Sequence, residues 1–316
     1  MRVLFIDTVH PILEERLTEK GFDCVDGTKW NRPDIMSKIS SYQGVVIRSK
    51  FTIDDAFLDA ATDLKFIARS GSGLENIDLI KAEEKGIRVF NSPEGNQDAV
   101  GEQAVGMLIA LMNNLMRSDA EVRNGLWRRE ANRGHEIKGK TVGIIGYGHM
   151  GSAFAQRLKG FGCRVVAYDK YKTNFSDEYA EEVSLQHLMR YSDIVSFHLP
   201  YNDETSYYFN NGFIKSMDKP FYLLNTSRGK VVRTDHLVEG LKSGKVIGAA
   251  LDVLEYEPAS FENIDFTKLP DSFTYLKESD RVVLSPHIAG WTVESYIKLS
   301  TFLADKILAE FSASAN

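Results

Sequence analysis

Residues 141–151, with the sequence TVGIIGYGHMG, decide the fold of this chain. A β-prone apolar run leads into the pattern G-x-G-x-x-G, formed by Gly146, Gly148 and Gly151, and residues 152–160 then have a helical pattern. In a strand–turn–helix unit the first glycine permits a tight turn, the second lets the backbone approach a pyrophosphate, and the third allows close packing of helix on strand. The free N–H groups at the start of such a helix favour an anion. The segment therefore predicts a phosphate-binding turn.

An aspartate after the next predicted strand makes this prediction more specific. Asp169 follows the run 165–168 and lies 18 residues beyond Gly151. A carboxylate about 20 residues past the last glycine binds the adenosine ribose 2′-hydroxyl of a dinucleotide. Because it would repel a 2′-phosphate, we predict NAD rather than NADP as the cofactor. The alternative is a plain glycine turn with a solvated aspartate.

A second phosphate-binding pattern precedes this turn. Residues 134–141, GHEIKGKT, match G-x-x-x-x-G-K-T letter for letter. A P-loop of that type follows a strand and opens a helix, whereas here a charged, irregular stretch comes first and a β-prone run follows. The order of elements therefore favours Lys138 and Lys140 as solvated residues at the start of a strand.

The rest of the chain alternates β-prone runs with helical patterns. Further strands are predicted at 165–168, 194–197, 222–225, 247–251 and 282–284, and an earlier series at 3–6, 45–48 and 66–69. Such alternation predicts an α/β protein whose parallel sheets carry helices on both faces. We also expect one long helix over 98–124, a surface loop over 259–280 and a final amphipathic helix over 292–311.

Composition and charge narrow the class of protein. The 316 residues are 43% hydrophobic and 26% charged, which is typical of a folded chain of about two domains. The net charge of −6 argues against a nucleic-acid partner. No apolar run approaches the roughly 18 residues of a membrane helix, and the N-terminus lacks a signal-peptide core, so we expect a cytoplasmic protein without a membrane partner. Cys24 and Cys163 are expected to be reduced, buried thiols, and the histidine spacing predicts no metal.

Three later segments place chemically useful side chains at the carboxyl ends of predicted strands, where ligands bind in open α/β sheets. These side chains are Arg228, Asp252, Glu257 and His287. Hydride transfer between NAD and a 2-hydroxy acid needs a cation for the substrate carboxylate, an acid–base for the hydroxyl proton, and a carboxylate that fixes the tautomer of that base. Taken singly, His287 fits a structural histidine equally well, and Arg228 fits a surface cation.

These segments resemble the D-isomer-specific 2-hydroxyacid dehydrogenase family, and the resemblance covers nearly the whole chain. It rests on motifs at 68–78, 91–96, 141–151, 225–229, 251–258 and 285–290. It implies that Arg228 binds the substrate, that His287 is the acid–base and that Glu257 is its partner carboxylate. It also implies a set of NAD contacts, namely Gly146, Gly148, His149, Met150, Gly151, Asp169, Leu199, Thr226, Ser227, Asp252 and Gly290.

The resemblance also implies a domain and subunit organisation. A flavodoxin-like substrate domain would comprise 1–96 plus 290–316, and a Rossmann NAD domain would comprise 97–289, with the chemistry in the cleft between them. The implied fold class is two doubly wound parallel-sheet domains. Residues 98–135 resemble the dimer interface of the family, so a homodimer is expected.

Two arginines bear on the substrate. Arg48 and Arg69 each end a strand of the first domain, and a second, stronger anion on the substrate would account for both. Their surroundings resemble the phosphoglycerate dehydrogenase branch of the family, in a short form without the regulatory C-terminal domain, which implies 3-phospho-D-glycerate. Ser72 and Gly73 would donate backbone N–H groups to the substrate carboxylate. The alternatives are that both arginines pair with local acids, or that the chain is a glyoxylate, hydroxypyruvate or other D-2-hydroxyacid dehydrogenase.

A function of another class also stays open. The same scaffold serves as an NAD-sensing transcriptional corepressor that binds short peptides, and such proteins resemble the enzymes at Arg228, Glu257 and His287. The acidic charge balance and the lack of a disordered extension favour the enzyme.

Overall fold

The computed structural model describes residues 1–258, 264 and 266–311. The chain forms two compact units, each built on its own parallel sheet. The first unit comprises Met1–Gln97, Pro258 and the described part of the segment that begins at Trp291. The second unit comprises Asp98–Glu257 and the described part of the segment that ends at Gly290.

The two sheets have the strand orders of two doubly wound folds. The strands of the first unit are β1 (Arg2–Phe5), β2 (Asp23–Asp26), β3 (Gly44–Ile47), β4 (Phe66–Arg69) and β5 (Arg88–Phe90). Their order, β2-β1-β3-β4-β5, is that of flavodoxin-like sheets. The strands of the second unit are β6 (Thr141–Ile145), β7 (Arg164–Tyr168), β8 (Glu181–Glu182), β9 (Ile194–Phe197), β10 (Phe221–Asn225), β11 (Val246–Leu251) and β12 (Val282–Leu284). Their order, β12-β11-β10-β9-β6-β7-β8, is the Rossmann order with β12 added at one edge, so the predicted fold class is confirmed.

Helices connect the strands of both units. In chain order they are α1 (Ile12–Glu19), α2 (Arg32–Met36), α3 (Asp55–Ala60), α4 (Leu79–Glu84), α5 (Gln97–Met112), α6 (Leu115–Arg123), α7 (His149–Leu158), α8 (Leu185–Tyr191), α9 (Asn211–Ser216), α10 (Thr234–Ser243), α11 (Asp271–Glu278) and α12 (Val293–Phe311). The final helix begins one residue after the predicted start. None of these described helices is both long enough and apolar enough to cross a membrane.

The apolar strands explain where the cores lie. Every residue of β3, β9 and β10 is buried, as a strand covered on both faces requires. Helix α12 closes one face of the first sheet, because Leu303, Ala304 and Ile307 pack in one cluster with residues of β1 and β4. Gly95 lies so close to this helix that an added Cβ would stand 2.6 Å from the backbone nitrogen of Leu299.

The prediction of one long helix over 98–124 is wrong, because the structure has α5 and α6 with a break between them. Asn114 adopts a left-handed conformation with φ of 54°, which an α-helix cannot continue. Asparagine is a weak helix former and visits that conformation more readily than most residues. The apolar periodicity on either side of Asn113 and Asn114 concealed the break.

The prediction of an irregular loop over 259–280 is also wrong in part. Residues 259–263 and 265 lie outside the described residues, but α11 occupies Asp271–Glu278. Phe273 and Leu276 are buried at the helical spacing of three, a pattern too short to stand out in an aromatic and polar stretch. The edge strands β2, β5 and β8 were not predicted, because they are short and lack an apolar run.

Two smaller expectations are also settled. Residues 134–141 lead into β6 rather than into a helix, which excludes the P-loop interpretation. Cys24 and Cys163 are free thiols, but they are only partly buried, contrary to the expectation that both are buried. Burial raises the pKa of both thiols.

Candidate active site

The glycine turn connects β6 to α7 with the predicted geometry. Gly146 has a positive φ of 95°, and a Cβ there would stand 2.3 Å from the carbonyl oxygen of His198. A Cβ at Gly151 would stand 2.1 Å from the carbonyl oxygen of Gly146. Gly148 differs from both, because a Cβ there would meet nothing within 4 Å. The structure thus needs two of the glycines for packing and leaves space beside the third.

His149 and Met150 form the first turn of α7, directly after Gly148. The backbone N–H groups of a first helical turn lack partners within the helix and carry the positive end of its dipole. This turn can therefore hold a phosphate.

Asp169 braces the glycine turn. Its Oδ2 accepts a hydrogen bond from the backbone N–H of Tyr147 at 2.9 Å, and its Oδ1 accepts from Tyr171 N at 2.9 Å and Lys172 N at 3.2 Å. The side-chain amine of Lys172 in turn donates to the carbonyl oxygen of Tyr147 at 2.8 Å. Sequence reasoning missed Lys172, because a lysine bound to a backbone carbonyl leaves no motif.

Pairing of β6, β9 and β10 brings the residues that follow these three strands to one edge of the second sheet. Ile145 and Asn225 both pair with Phe197, so Gly146, His198 and Thr226 follow them side by side. Leu199 packs against Gly146, since its Cδ2 would lie 3.2 Å from a Cβ there.

Polar atoms beside the glycine turn are suited to a ligand. The hydroxyl of Thr226 is buried and has no hydrogen-bond partner within the described part of the chain. His198 is bound through Nε2 to the hydroxyl of Ser196 at 2.8 Å, and burial lowers the pKa of its imidazole to about 3. The ring is therefore neutral at physiological pH and adds no charge beside the turn.

Backbone hydrogen bonds join the loops that follow β10, β11 and β12. Asp252 N donates to Asn225 O at 3.0 Å, and His287 N donates to Asp252 O at 2.8 Å. These bonds continue the ladder of the sheet beyond its strands. The three segments that the sequence singled out are therefore adjacent in space.

The turn that carries Arg228 is fixed by Asn225, whose side chain is fully buried. Its Oδ1 accepts from the backbone N–H and the hydroxyl of Ser227 at 3.1 and 2.8 Å, and its Nδ2 donates to Arg228 O at 3.0 Å. A Cβ at Gly229 would stand 1.9 Å from the carbonyl oxygen of Leu254. The turn therefore lies directly against the loop that leads to Glu257.

Glu257 and His287 form a close ion-pair-type contact. Glu257 Oε2 lies 2.6 Å from His287 Nδ1, and the two side chains are 12% and 22% exposed. The other carboxylate oxygen, Oε1, accepts the backbone N–H of Leu254. His287 has a φ of 53°, which is unusual for a residue other than glycine. Both carboxylate oxygens are thus engaged, and the imidazole is held by its Nδ1 atom.

Asp252 positions the loop around His287. Its Oδ1 accepts the N–H of Ile288 at 3.0 Å and the hydroxyl of Ser285, and its Oδ2 accepts the N–H of Ala289 at 2.8 Å. Gly290 then turns the chain with a φ of 89°. The sequence suggested only a cofactor contact for Asp252, since its bonds to backbone groups leave no pattern.

The first unit places two arginines at the carboxyl ends of adjacent strands. The guanidinium carbon of Arg48 lies 4.4 Å from the ring centroid of Trp291. Arg69 ends β4, and its guanidinium lies against Gly71, where a Cβ would stand 1.7 Å from Nη1. The contact between Trp291 and Arg48 joins residues 243 positions apart.

The backbone between β4 and β5 offers hydrogen-bond donors. Ser72 donates its hydroxyl to Asn96 Oδ1 at 2.6 Å, and its carbonyl accepts from Asn91 Nδ2 at 2.6 Å. The N–H groups of Ser72 and Gly73 donate to no other group among the described residues. They are therefore able to bind an anion.

The predicted site residues fall into two sets. The second unit holds the residues predicted for acid–base chemistry and for NAD contact, whereas the first unit holds Arg48, Arg69, Ser72 and Gly73. Across the described ranges, no three His, Cys, Asp or Glu side chains cluster as metal ligands.

Comparison with known proteins gives a consistent picture. Residues 105–289 match the model of the D-isomer specific 2-hydroxyacid dehydrogenase NAD-binding domain. The chain is 35% identical to a hydroxypyruvate reductase of Thermotoga maritima, over 88% of both proteins. It is 32% identical to a D-3-phosphoglycerate dehydrogenase of Archaeoglobus fulgidus, over 98% of this chain and 57% of that protein.

A solved structure agrees with these relatives. The TT0316 protein from Thermus thermophilus superposes with a TM-score of 0.82 at 30% identity, over 98% of this chain and 96% of that one. The chain therefore belongs to the D-isomer-specific 2-hydroxyacid dehydrogenase family, oxidoreductases that act on the CH–OH group of a hydroxy acid with NAD.

Proposed function

We propose that this chain oxidises 3-phospho-D-glycerate at C2 with NAD, and that Arg228, Glu257 and His287 perform the reaction. The observation that carries the chemistry is the contact of 2.6 Å between Glu257 Oε2 and His287 Nδ1. With Nδ1 held by Glu257, Nε2 is the ring nitrogen that would exchange a proton with the substrate hydroxyl.

The residues of the second unit fit NAD. The open space beside Gly148, the first turn of α7 and the buried hydroxyl of Thr226 are suited to a pyrophosphate and a polar ring. Asp169 keeps acceptor capacity for a ribose hydroxyl, because each carboxylate oxygen has two lone pairs. Ser227, Leu199, Asp252 and Gly290 would complete the contacts. When bound, NAD supplies the acceptor for the hydride that leaves C2.

The protein groups then divide the remaining work. Arg228 holds the substrate carboxylate and polarises the oxygen on C2, as a guanidinium can do with two parallel hydrogen bonds. His287 Nε2 takes the hydroxyl proton while the C2–H bond breaks, so that a 2-oxo acid forms. Glu257 holds the Nδ1 proton and stabilises the imidazolium. Proton transfer of this kind contributes about 10²–10⁴-fold to the rate.

The choice of a phosphorylated acid rests on the first unit. Arg48 and Arg69 stand at the carboxyl ends of neighbouring strands, and the N–H donors of Ser72 and Gly73 follow Arg69 three and four residues later in the sequence. A phosphate carries up to two charges and suits the fork of arginine. The 32% identity to a phosphoglycerate dehydrogenase, over 98% of this chain, supports the same choice.

A second candidate is reduction of hydroxypyruvate. It is favoured by the Thermotoga relative, which is 35% identical and matches over 88% of its own length. Arg228 and His287 would act in reverse on such a substrate, with His287 donating the proton.

Initial rates of NADH formation with D-glycerate, D-lactate and 3-phospho-D-glycerate test the proposal, with reduction of hydroxypyruvate and glyoxylate measured in parallel. We expect the highest kcat/KM for 3-phospho-D-glycerate. Arg228→Ala and His287→Ala should each lower kcat by orders of magnitude while NADH still binds. A wild-type preference for hydroxypyruvate, or near-normal rates in either variant, would contradict the proposal.

We also propose that residues 98–135 form a homodimer interface. Apolar side chains in this segment are exposed, namely Leu115, Met116, Val122, Leu126 and Trp127. Trp127 alone is 79% exposed. Light scattering of the wild-type protein should give twice the monomer mass, and Trp127→Glu should shift the population to monomers. A wild-type protein that is already monomeric would refute the interface.

A further inference from the structure

We propose that Trp291 is a positioning residue that determines specificity, because it holds Arg48 where that side chain reads a second anionic group on the substrate. The inference rests on the proposed function for the position of Arg48 in the substrate site. Trp291 lies four residues after His287, directly after the turn at Gly290.

The backbone of Arg48 is fixed independently of Trp291. Asp7 Oδ2 accepts the N–H groups of Arg48 at 2.6 Å, Ser49 at 3.0 Å and Lys50 at 3.1 Å. Asn76 Nδ2 donates to Arg48 O at 3.2 Å. A change at Trp291 would therefore release the side chain of Arg48 without moving its main chain.

The side chain of Arg48 rests on an aromatic ring rather than on an acid. Its guanidinium carbon lies 4.4 Å from the ring of Trp291, and no carboxylate within the described residues forms a salt bridge with it. A cation–π contact uses none of the five N–H donors of a guanidinium. Arg48 therefore keeps its charge and its hydrogen-bond donors for a ligand.

Trp291 is itself supported from one side and open on the other. Its ring lies 6.3 Å from that of Tyr296, which meets the ring of His10 edge-on at 5.4 Å. Trp291 is nevertheless 54% exposed. A tryptophan that serves only the core is normally buried. The exposure of Trp291 instead suits a ring that orients a cation toward a ligand.

The chemistry of the pair defines the group it recognises. A fixed guanidinium with free N–H donors binds phosphate or a second carboxylate through paired, charge-assisted hydrogen bonds. It gains much less from a neutral hydroxymethyl group, which carries no charge and offers a single oxygen. The pair should therefore separate dianionic 2-hydroxy acids from monoanionic ones.

The test is a double-mutant cycle on KM with 3-phospho-D-glycerate, D-malate and D-glycerate. Arg48→Gln should raise KM for the preferred dianionic acid about 10- to 100-fold. Trp291→Leu should raise it about two- to fivefold, and Trp291→Phe should restore most of the loss. In the Arg48→Gln background, Trp291→Leu should have no further effect. Arg2→Gln is the matched control, because Arg2 lies 4.8 Å over the ring of Tyr42 in the same unit and should leave every KM unchanged.

The outcomes separate this inference from the proposed function. Suppose that 3-phospho-D-glycerate is preferred. If Trp291→Leu then raises KM for D-glycerate as much as for 3-phospho-D-glycerate, or raises KM as much in the Arg48→Gln background as in the wild type, the inference fails and the proposed function stands. If D-malate is preferred and shows the coupling, the proposed substrate is wrong and the inference stands. A wild-type preference for D-glycerate over both dianions overturns both.

Discussion

The substitution Glu257→Gln tests how the carboxylate controls His287. Glu257 now satisfies two groups, His287 Nδ1 through Oε2 and the N–H of Leu254 through Oε1. Glutamine can offer an oxygen to only one of them. If the oxygen faces Leu254, the amide NH₂ faces Nδ1, which must then act as an acceptor and leave the proton on Nε2. That tautomer cannot take the substrate hydroxyl proton.

The magnitude follows from the cost of the opposite orientation. If the amide turns so that its oxygen faces His287, its NH₂ group faces the backbone N–H of Leu254, and two donors then point at each other. Leaving a largely buried donor unsatisfied costs about 1–3 kcal/mol. The productive tautomer is then disfavoured by roughly 5- to 150-fold. Loss of the charge that stabilises the imidazolium adds about tenfold. We expect kcat to fall on the order of 10²–10³-fold.

The assay is single-turnover NADH formation at saturating NAD, with NADH affinity measured by fluorescence. Glu255→Gln is the matched control, because the carboxylate of Glu255 accepts the N–H of Thr234 at 2.8 Å and has no contact with His287. Glu255→Gln should stay within about threefold of wild type. A Glu257→Gln enzyme that also stays within threefold would refute the tautomer argument.

Three further predictions follow from other contacts. Folded His198 binds no proton between pH 6.5 and about pH 3, whereas the unfolded chain does, so the free energy of unfolding falls as pH decreases through this window. His198→Gln should reduce that slope by up to about 1.4 kcal/mol per pH unit in denaturant titrations, and an unchanged slope would contradict the assignment. Gly148→Ala should keep the wild-type Tm but weaken NADH binding at least tenfold. Gly151→Ala should lower the Tm, because its Cβ would stand 2.1 Å from a carbonyl oxygen. Equal losses of Tm in the two variants would exclude the ligand role of Gly148. Arg69→Ala should raise KM far more for 3-phospho-D-glycerate than for D-glycerate, and equal increases would remove Arg69 from phosphate binding.

Features that depend on local chain geometry could be predicted from the sequence. The spacing of Gly146, Gly148 and Gly151 predicts the turn, because Gly146 and Gly151 meet steric demands of the strand–turn–helix unit and Gly148 leaves space for a ligand. Largely apolar strands such as β9 and β10, in which every residue is buried, stand out for a similar reason. The break at Asn114 could not be predicted with the same ease, since the apolar pattern continues on both sides of it.

Features that depend on contacts between distant segments needed the structure. The carboxylate of Asp252 organises the loop around His287 through backbone N–H groups, which are the same in every sequence. The contact between Arg48 and Trp291 joins opposite ends of the chain. The acidic partner of His287 was implied only by resemblance, because residue spacing cannot choose among the carboxylates of 251–258.

The proposed reaction depends most directly on which nitrogen of the His287 ring carries the proton. Long-range ¹H–¹⁵N correlation spectra of the histidine-labelled wild-type protein, recorded where the ring is neutral, report which nitrogen carries hydrogen. We predict a protonated Nδ1, held by Glu257, and a bare Nε2. A neutral ring with its proton on Nε2 would contradict the proposed role of His287 as the base.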